Sequence, residues 1–264
     1  MKIKTAVITA AGKGARLYPA TKYVPKEMFP IGNKPIIDFA IEECIDFGIE
    51  KIILVYGSNK ELLLDYVKSE WQSRVSDAKI HFVRQSDGYG TAKAVESCSD
   101  LINQEPFFVI FPDEIAIKSN ALKDLQHAYD RYNSTVLAFK EIDPSDCSLY
   151  GIIDLVPETD RVNDLKEKPS ITQSKSAICG RFAFNYEIFE EINKIETTND
   201  EYYLTDAIIK QIEKEKVYAV KIDGLYDTGN RINYVLSSLK YITATDERLK
   251  KDAMAIIQRE LKGE

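Results

Sequence analysis

Short apolar runs alternate with stretches of helical period over the first half of the chain. The apolar runs have the length of strands and lie at 5–10, 52–56, 80–84 and 107–111. The stretches between them repeat apolar side chains at helical spacing and lie at 35–48, 60–72 and 91–102. This alternation is typical of a mostly parallel sheet with helices on both faces. We therefore predict an α/β fold whose ligand site follows the carboxyl ends of the strands.

The charge and cysteine content exclude several classes of protein. Lys and Arg number 35 against 42 Asp and Glu, so we expect no nucleic-acid partner and no attraction to anionic membranes. The N-terminal apolar run is far too short to span a bilayer, and we expect a cytoplasmic protein without a membrane partner. The cysteines lack the spacing and the histidine neighbours of a zinc site, so we expect buried, reduced thiols.

The first 26 residues carry six basic side chains and no acidic one, although the whole chain is acidic. Two of these cations, Lys13 and Arg16, lie in a glycine-containing loop directly after the first predicted strand. The backbone N–H groups of Gly12 and Gly14 can line an anion site there, and the long cations can reach phosphates. The loop therefore indicates phosphate binding.

Spacing excludes three familiar classes of nucleotide-dependent protein. A dinucleotide fingerprint beginning at Gly12 requires glycine or alanine at the position of Leu17. A P-loop beginning there requires glycine and lysine at the positions of Leu17 and Tyr18. The run Pro112-Asp113-Glu114 lacks the Asp-x-Asp of many nucleotide-sugar glycosyltransferases. We therefore expect neither an NAD dehydrogenase, nor a P-loop kinase, nor such a glycosyltransferase.

Further motifs surround this loop and continue to residue 230. The N-terminal ones are Ala10-Ala11-Gly12-Lys13-Gly14-Ala15-Arg16-Leu17, Pro19-Ala20-Thr21-Lys22 and Pro25-Lys26-Glu27-Met28-Phe29-Pro30. The later ones are, in order, Val83-Arg84-Gln85, Gly88-Tyr89-Gly90, Pro112-Asp113, Tyr150-Gly151, Glu167-Lys168-Pro169, Gly180-Arg181, Leu204-Thr205-Asp206-Ala207 and Asp227-Thr228-Gly229-Asn230. In content and order they resemble the signature of sugar-1-phosphate nucleotidyltransferases. The form P-A-T-K…P-K-E-M-x-P is similar to that of bacterial UTP:glucose-1-phosphate uridylyltransferases.

The resemblance implies a Rossmann-like fold with a mixed, mostly parallel central sheet flanked by helices on both faces. We expect one domain over 1–264, with a nucleotide-binding half at about 1–140 and a sugar-binding half at about 141–229. The second half would hold a small additional β region, because 151–155 and 162–167 read as a hairpin. Helices at about 230–264 would close the chain. They could form a subunit interface or fold back, and the resemblance implies a homo-oligomer, a dimer or tetramer.

The implied reaction is Mg²⁺-dependent transfer of a uridylyl group from UTP to α-D-glucose 1-phosphate, giving UDP-glucose and pyrophosphate. The sugar phosphate attacks the α-phosphorus in line, so the protein mainly positions the reactants and neutralises charge. No nucleophile or general base is needed, which agrees with two histidines that lie outside every motif. Arg16 would hold the departing β- and γ-phosphates. Lys26 would bridge the α-phosphate and the sugar phosphate.

Carried over position by position, the resemblance assigns the remaining site residues. Asp113 and Asp227 would hold Mg²⁺, a hard cation that takes one or two carboxylates. The nucleotide would be bound by Ala11, Gly12, Gly14, Gln85 and Gly90. The sugar phosphate would be bound by Gly151, Glu167, Lys168 and Gly180. Outside the matched motifs, the same residues would be interpreted as ordinary turns, caps and surface ion pairs.

Three departures from the family pattern leave alternatives open. Ala15 replaces the usual threonine of the glycine loop, Thr91 replaces the usual histidine after Gly90, and Ser170 replaces a frequent lysine. Thymidylyl transfer is the first alternative, because Gln85 reads an edge that uracil and thymine share. A different sugar 1-phosphate is the second. A weakly active regulatory paralogue that binds nucleotide sugar is the third.

Overall fold

The computed structural model describes residues 1–75, 78–85, 87–197, 200–214 and 216–262, with side chains to residue 259. The strands are β1 (Thr5–Ala10), β2 (Pro30–Ile31), β3 (Lys34–Pro35), β4 (Lys51–Tyr56), β5 (Lys79–Arg84), β6 (Phe107–Ile110), β7 (Glu114–Ala116), β8 (Thr135–Glu141), β9 (Gly151–Leu155), β10 (Val162–Glu167), β11 (Ser176–Phe184), β12 (Val217–Lys221) and β13 (Leu225–Asp227). The helices are α1 (Ile36–Phe47), α2 (Glu61–Tyr66), α3 (Thr91–Glu96), α4 (Ala121–Tyr132), α5 (Ile188–Ile192), α6 (Leu204–Ile212), α7 (Arg231–Thr245) and α8 (Glu247–Lys262).

Within the described ranges, the main sheet has nine strands. Seven follow the order β10-β9-β11-β6-β1-β4-β5, and β8 pairs with both β11 and β12. The run β6-β1-β4-β5 is parallel, whereas β11 is antiparallel to β6, β8 and β9. The predicted hairpin at 151–155 and 162–167 is confirmed as β9 and β10. The expected α/β class with a mixed, mostly parallel sheet is confirmed.

Helices cover both faces of this sheet because alternate residues of the buried strands point to opposite sides. Ile8 packs with Ile37 of α1 and Leu122 of α4 on one face. Its neighbour Val7 belongs to a second cluster, on the other face, that includes residues of α3 and α6. The two clusters explain why β1 reads as continuously apolar.

The first long helix differs from the prediction by one residue at each end. Pro35 is the N-cap of α1, not its first helical residue, because it also pairs in the short β2–β3 ladder. The helix ends where Gly48 takes a left-handed conformation with φ of 88° and donates its N–H to Cys44 and Ile45. The predicted helix 91–102 is also shorter: α3 ends at Glu96, and a 3₁₀ turn follows at Ser99–Leu101.

Sequence reasoning missed a small second sheet that lies beside the main one. Strands β7 and β13 pair antiparallel, with Asp227 opposite Glu114. Each has three residues, which is too short to show a period. This pairing joins the segment after β6 to a segment more than 100 residues later.

Helix α4 was also missed, although Leu122, Leu125 and Tyr129 form a buried stripe at helical spacing. All four cysteines are buried and free, as expected. In the described part of the chain, no helix combines the length and the apolar character needed to cross a membrane.

Candidate active site

A cleft of about 270 Å³ opens at the carboxyl ends of the parallel strands. Ala11 follows β1, Gln85 follows β5 and Asp113 follows β6, so the chain direction alone brings them to one edge of the sheet. The cleft is lined by twelve of the thirteen residues that the sequence assigns to a site. They are Ala11, Gly12, Arg16, Lys26, Gln85, Gly90, Asp113, Gly151, Glu167, Lys168, Gly180 and Asp227.

The thirteenth residue, Gly14, is not among the residues that line the cleft. It has φ of 67°, and its carbonyl accepts a hydrogen bond of 2.8 Å from the Thr21 hydroxyl. Gly14 therefore makes the left-handed turn that carries Arg16 towards the cleft. Arg16 itself lies against Gly229, where an added Cβ would be only 2.8 Å from the guanidinium.

Lys26 and Asp113 form an ion pair inside the cleft. Lys26 Nζ lies 2.6 Å from Asp113 Oδ2, and the two side chains are 15% and 16% exposed. Burial acts to lower the pKa of Lys26, but the charges of Asp113 and Glu27 outweigh it and hold that pKa above its usual range. Burial acts to raise the pKa of Asp113, but Lys26 and Arg16 outweigh it and hold that pKa below its usual range. Both groups are therefore charged at neutral pH.

The small β7–β13 sheet brings the second carboxylate beside the first. Thr228 donates from its N–H and its hydroxyl to the Asp113 carbonyl, at 2.7 and 2.8 Å. Asn233 of α7 donates to Asp227 Oδ2 at 2.6 Å, and the Gly229 N–H donates to Oδ1 at 2.7 Å. Burial raises the pKa of Asp227, and the charge of Asp113 raises it further. A cation bound beside Asp227 would favour its ionised form and so oppose the rise in pKa that burial and Asp113 cause.

The donor set suits a hard cation that shares its ligands with a substrate. Among the described residues, no group of three or more His, Cys, Asp or Glu side chains could enclose a metal. Two carboxylates, Asp113 and Asp227, face one cleft instead. Mg²⁺ is commonly bound through one or two carboxylates together with substrate phosphates and water, so these residues fit it.

One part of the cleft lining is the base loop, which we define as residues 85 and 87–91. The Gln85 amide donates to the carbonyls of Gly88 and Gly90, at 3.0 and 3.4 Å, and so shapes the loop. Gly90 has φ of 126°, and an added Cβ would lie 2.3 Å from the Tyr202 carbonyl oxygen. Only glycine fits there.

Glu167 and Lys168 also line the cleft, and their charged groups are 3.1 Å apart. Lys168 has φ of 45°, a backbone conformation that residues other than glycine rarely adopt. Such conformations occur often at functional sites. An added Cβ on Gly151 would lie 3.3 Å from Glu167 Oε2, so the glycine keeps the carboxylate accessible. The backbone groups of Gly180 form hydrogen bonds within the protein. Its N–H donates to the Glu114 carboxylate, and its carbonyl accepts from the backbone N–H of Phe111 and from the Arg181 guanidinium.

Sequence reasoning missed what holds the Asp113 segment in place. Arg181 is fully buried and pairs with Glu43 at 2.9 Å. Its guanidinium also donates to the carbonyls of Phe111 and Glu114, at 2.9 and 2.8 Å, on either side of Asp113. The motif Gly180-Arg181 was noted in the sequence, but its partner Glu43 is 138 positions away.

We expect Arg181→Met to lower the free energy of unfolding by about 3–5 kcal/mol, because Glu43 would keep a buried, unpaired charge. Urea denaturation measures this. The double variant Arg181→Met/Glu43→Leu removes both charges and should recover much of the loss. A single-variant loss below about 1 kcal/mol would contradict the role of this pair.

The cleft also contains a wall that the sequence analysis did not assign. We call residues 201–205 the sugar-side segment; its members Glu201, Tyr203, Leu204 and Thr205 line the cleft. Burial raises the pKa of Tyr203 to about 12, and a hydrogen bond to Glu201 contributes. Lys168 Nζ lies 5.1 Å from the centre of the Tyr203 ring. In the sequence, the motif at 204–207 was the feature that could have indicated that this segment lines the cleft.

Comparisons with known proteins show which family the chain belongs to. The Nucleotidyl transferase family matches residues 5–243. The UTP–glucose-1-phosphate uridylyltransferase YngB of Bacillus subtilis is 33% identical over an alignment of 289 positions. The alignment covers 100% of this chain and 97% of that protein. UTP–glucose-1-phosphate uridylyltransferase 2 of Staphylococcus saprophyticus is 34% identical, with 98% of each chain covered.

A solved structure extends the similarity to three dimensions. A crystal structure of UDP-glucose pyrophosphorylase complexed with UDP-glucose superimposes with a TM-score of 0.83 at 32% identity. The match covers 91% of this chain and 98% of that one. The chain therefore belongs to the nucleotidyl transferase family, as a relative of the UTP–glucose-1-phosphate uridylyltransferases.

Proposed function

We propose that this protein transfers a uridylyl group from UTP to α-D-glucose 1-phosphate, releasing pyrophosphate and forming UDP-glucose. The observation that carries the proposal is the Lys26–Asp113 pair, which lies in one cleft together with the base loop and Glu167. The names of the relatives support the choice of substrates. In this proposal the nucleotide lies on the half at about 1–140 and the sugar phosphate on the half at about 141–229.

The chemistry requires two anionic reactants to meet. An oxygen of the sugar phosphate attacks the α-phosphorus. On the opposite side, the bond from the α-phosphorus to the oxygen that bridges the α- and β-phosphates breaks, and pyrophosphate leaves. Lys26 neutralises the α-phosphate and the incoming phosphate. Arg16 neutralises the departing pyrophosphate. Because Lys26 is held by Asp113 before the substrates bind, little reorganisation of this cation is needed at the transition state.

A divalent metal completes the charge balance in this proposal, and we assign Mg²⁺. Asp113 and Asp227 would hold it. The ion, when bound, draws charge from the phosphate oxygens. The protein's own part is to hold both carboxylates at the cleft. Lys26 pairs with the Asp113 carboxylate and Thr228 bonds the Asp113 backbone carbonyl, and Asn233 donates to the Asp227 carboxylate.

The base loop supplies the preference for a pyrimidine. The Gln85 amide oxygen can accept from the N3–H of uracil, while Ala11 and Gly12 leave their backbone close to the ring. Thymine presents the same edge, so thymidylyl transfer is the principal rival. Clearance for its methyl group separates the two.

Glu167 would accept hydrogen bonds from the sugar hydroxyls. We expect Glu167→Gln to raise the KM for glucose 1-phosphate by about tenfold and to change the KM for UTP by less than about twofold, since the amide accepts more weakly than the carboxylate. Steady-state kinetics with each substrate varied in turn measures this. Glu158→Gln, at an exposed turn in the same half, is the matched control. An unchanged KM for the sugar phosphate would remove Glu167 from the sugar site.

The deciding experiment for the proposed function measures pyrophosphate release with Mg²⁺. UTP, dTTP, CTP, ATP and GTP are crossed against the 1-phosphates of glucose, galactose, mannose and N-acetylglucosamine. Preferred turnover of UTP with glucose 1-phosphate supports the proposal. Another preferred pair keeps the mechanism and changes the substrate. No turnover in a folded sample that binds UDP-glucose would favour the regulatory paralogue.

We also propose a cytoplasmic, homo-oligomeric protein. Four buried free thiols suit a reducing compartment. Ile232, Val235 and Leu236 of α7 are 72%, 62% and 57% exposed and share one face, which suits a contact between copies. Sedimentation equilibrium distinguishes a dimer or tetramer from a monomer.

A further inference from the structure

We infer that Thr91 is a positioning residue that links the base loop to the sugar-side segment. The link would keep the binding site for the base at a fixed position relative to the binding site for the sugar. The inference rests on the proposed function. It also assigns a role to a position that differs from the family pattern, where the resemblance predicts histidine.

The two segments meet along a continuous seam. The Tyr202 N–H donates to the Tyr89 carbonyl at 2.8 Å, and the Ala92 N–H donates to the Tyr202 carbonyl at 3.0 Å. Gly90 lies so close to Tyr202 that no side chain fits between them. The base loop and the sugar-side segment are therefore packed backbone to backbone.

One link in this seam is a side chain. The Leu204 N–H donates to Thr91 Oγ1 at 2.9 Å. Leu204 is the first residue of α6, and its N-cap, Tyr203, makes no side-chain cap hydrogen bond. The first N–H groups of a helix have no partner within the helix, so the hydroxyl of a residue on α3 satisfies one of them for α6.

The position of Leu204 matters for ligand binding because Tyr203, the residue before it, lines the cleft. Tyr203 lies against the Lys168 ammonium, and Lys168 pairs with Glu167. A continuous path therefore runs from Thr91 of the base loop, through Leu204 and its chain neighbour Tyr203, to Lys168 and Glu167, the two charged groups assigned to the sugar phosphate. A shift at Leu204 would displace Tyr203 and loosen this wall relative to the base loop.

A ligand that spans both sides should sense this coupling more than one that occupies a single side. We would compare the parent, Thr91→Val and Thr91→Ser by calorimetric titration with UDP-glucose and with UMP. Valine keeps the shape of threonine but cannot accept the hydrogen bond, whereas serine keeps the hydroxyl. We expect Thr91→Val to weaken UDP-glucose binding by about fivefold to tenfold and UMP binding by less than about twofold. Thr91→Ser should bind both ligands within about twofold of the parent.

Hydrogen exchange on the ligand-free protein supplies a second readout. The Leu204 amide should exchange faster in Thr91→Val than in the parent and in Thr91→Ser, with intact far-UV circular dichroism as the control for folding. If the valine variant does not fold, Thr91→Ala replaces it in both measurements.

Two results would overturn the inference. One is a folded valine variant with the parent's affinity for UDP-glucose and the parent's exchange at Leu204. The other is equal weakening of UDP-glucose and UMP, which would confine Thr91 to the base side. A parent that binds neither ligand would overturn the proposed function instead, and exchange at Leu204 would still decide whether the link exists.

Discussion

Lys26→Ala should lower the turnover of UTP and glucose 1-phosphate by about 10³-fold, because it removes the cation that stabilises charge on the reacting phosphates. The side chain is preorganised by Asp113 at 2.6 Å, so its charge is in place before the substrates arrive. Stability should fall by about 1–3 kcal/mol, since Asp113 keeps Arg16 as a neighbouring charge. Pyrophosphate release under saturating substrates measures the first effect, and thermal denaturation measures the second.

Lys22→Ala is the matched control for this variant. Lys22 belongs to the same basic N-terminal segment, but it is exposed and lies 5.4 Å from the centre of the Tyr18 ring. Its removal changes the net charge equally and should leave turnover within about twofold. Near-normal turnover in Lys26→Ala would contradict the role given to Lys26. Equal losses in both variants would indicate a general effect of positive potential.

Asp113→Asn should abolish the Mg²⁺-dependent step, with a loss of turnover of at least about 10³-fold. The amide has nearly the shape of the carboxylate and can still accept from Lys26, so the fold should survive. It lacks the negative charge that a divalent cation requires. Turnover as a function of Mg²⁺ concentration measures the effect, and binding of Mn²⁺ followed by electron paramagnetic resonance gives a readout that is independent of activity.

The control for Asp113→Asn is Asp223→Asn, which removes an exposed carboxylate shortly before β13. Its Mn²⁺ affinity and its Mg²⁺ dependence should match those of the parent. If Asp113→Asn kept the parent's Mn²⁺ affinity, Asp113 would not be a metal ligand. If it lost Mn²⁺ binding but kept its turnover, the metal would not serve the reaction.

Much of the fold could be predicted because apolar periodicity is a local property. Strand β1 and helix α1 follow directly from apolar spacing, since burial on both sheet faces requires apolar residues along the whole of β1. The positions after β1, β5 and β6 were also predictable as parts of one cleft, because the carboxyl ends of parallel strands meet at one edge. Arg16 and Lys26, which line this cleft, were singled out through their motifs.

The rest depends on contacts between distant positions. Nothing near Asp227 in sequence indicates that it faces Glu114 across a three-residue strand pair. The partner of Arg181 is Glu43, on a helix that the sequence shows only as an apolar stripe with charged faces. The sugar-side segment reaches the cleft because Tyr202 packs on Gly90, and no local pattern encodes that contact.

By itself, the sequence determined the α/β class, the family and the residue types needed for charge neutralisation, because these depend on local period and short motifs. Only the tertiary structure decided which charges meet. It paired Lys26 with Asp113 and set Asp227 beside them, and it joined Thr91 to Leu204. The physical reason is that hydrogen bonds and ion pairs act over a few ångströms in space, irrespective of the 87 positions that separate Lys26 from Asp113 or the 113 that separate Thr91 from Leu204 along the chain.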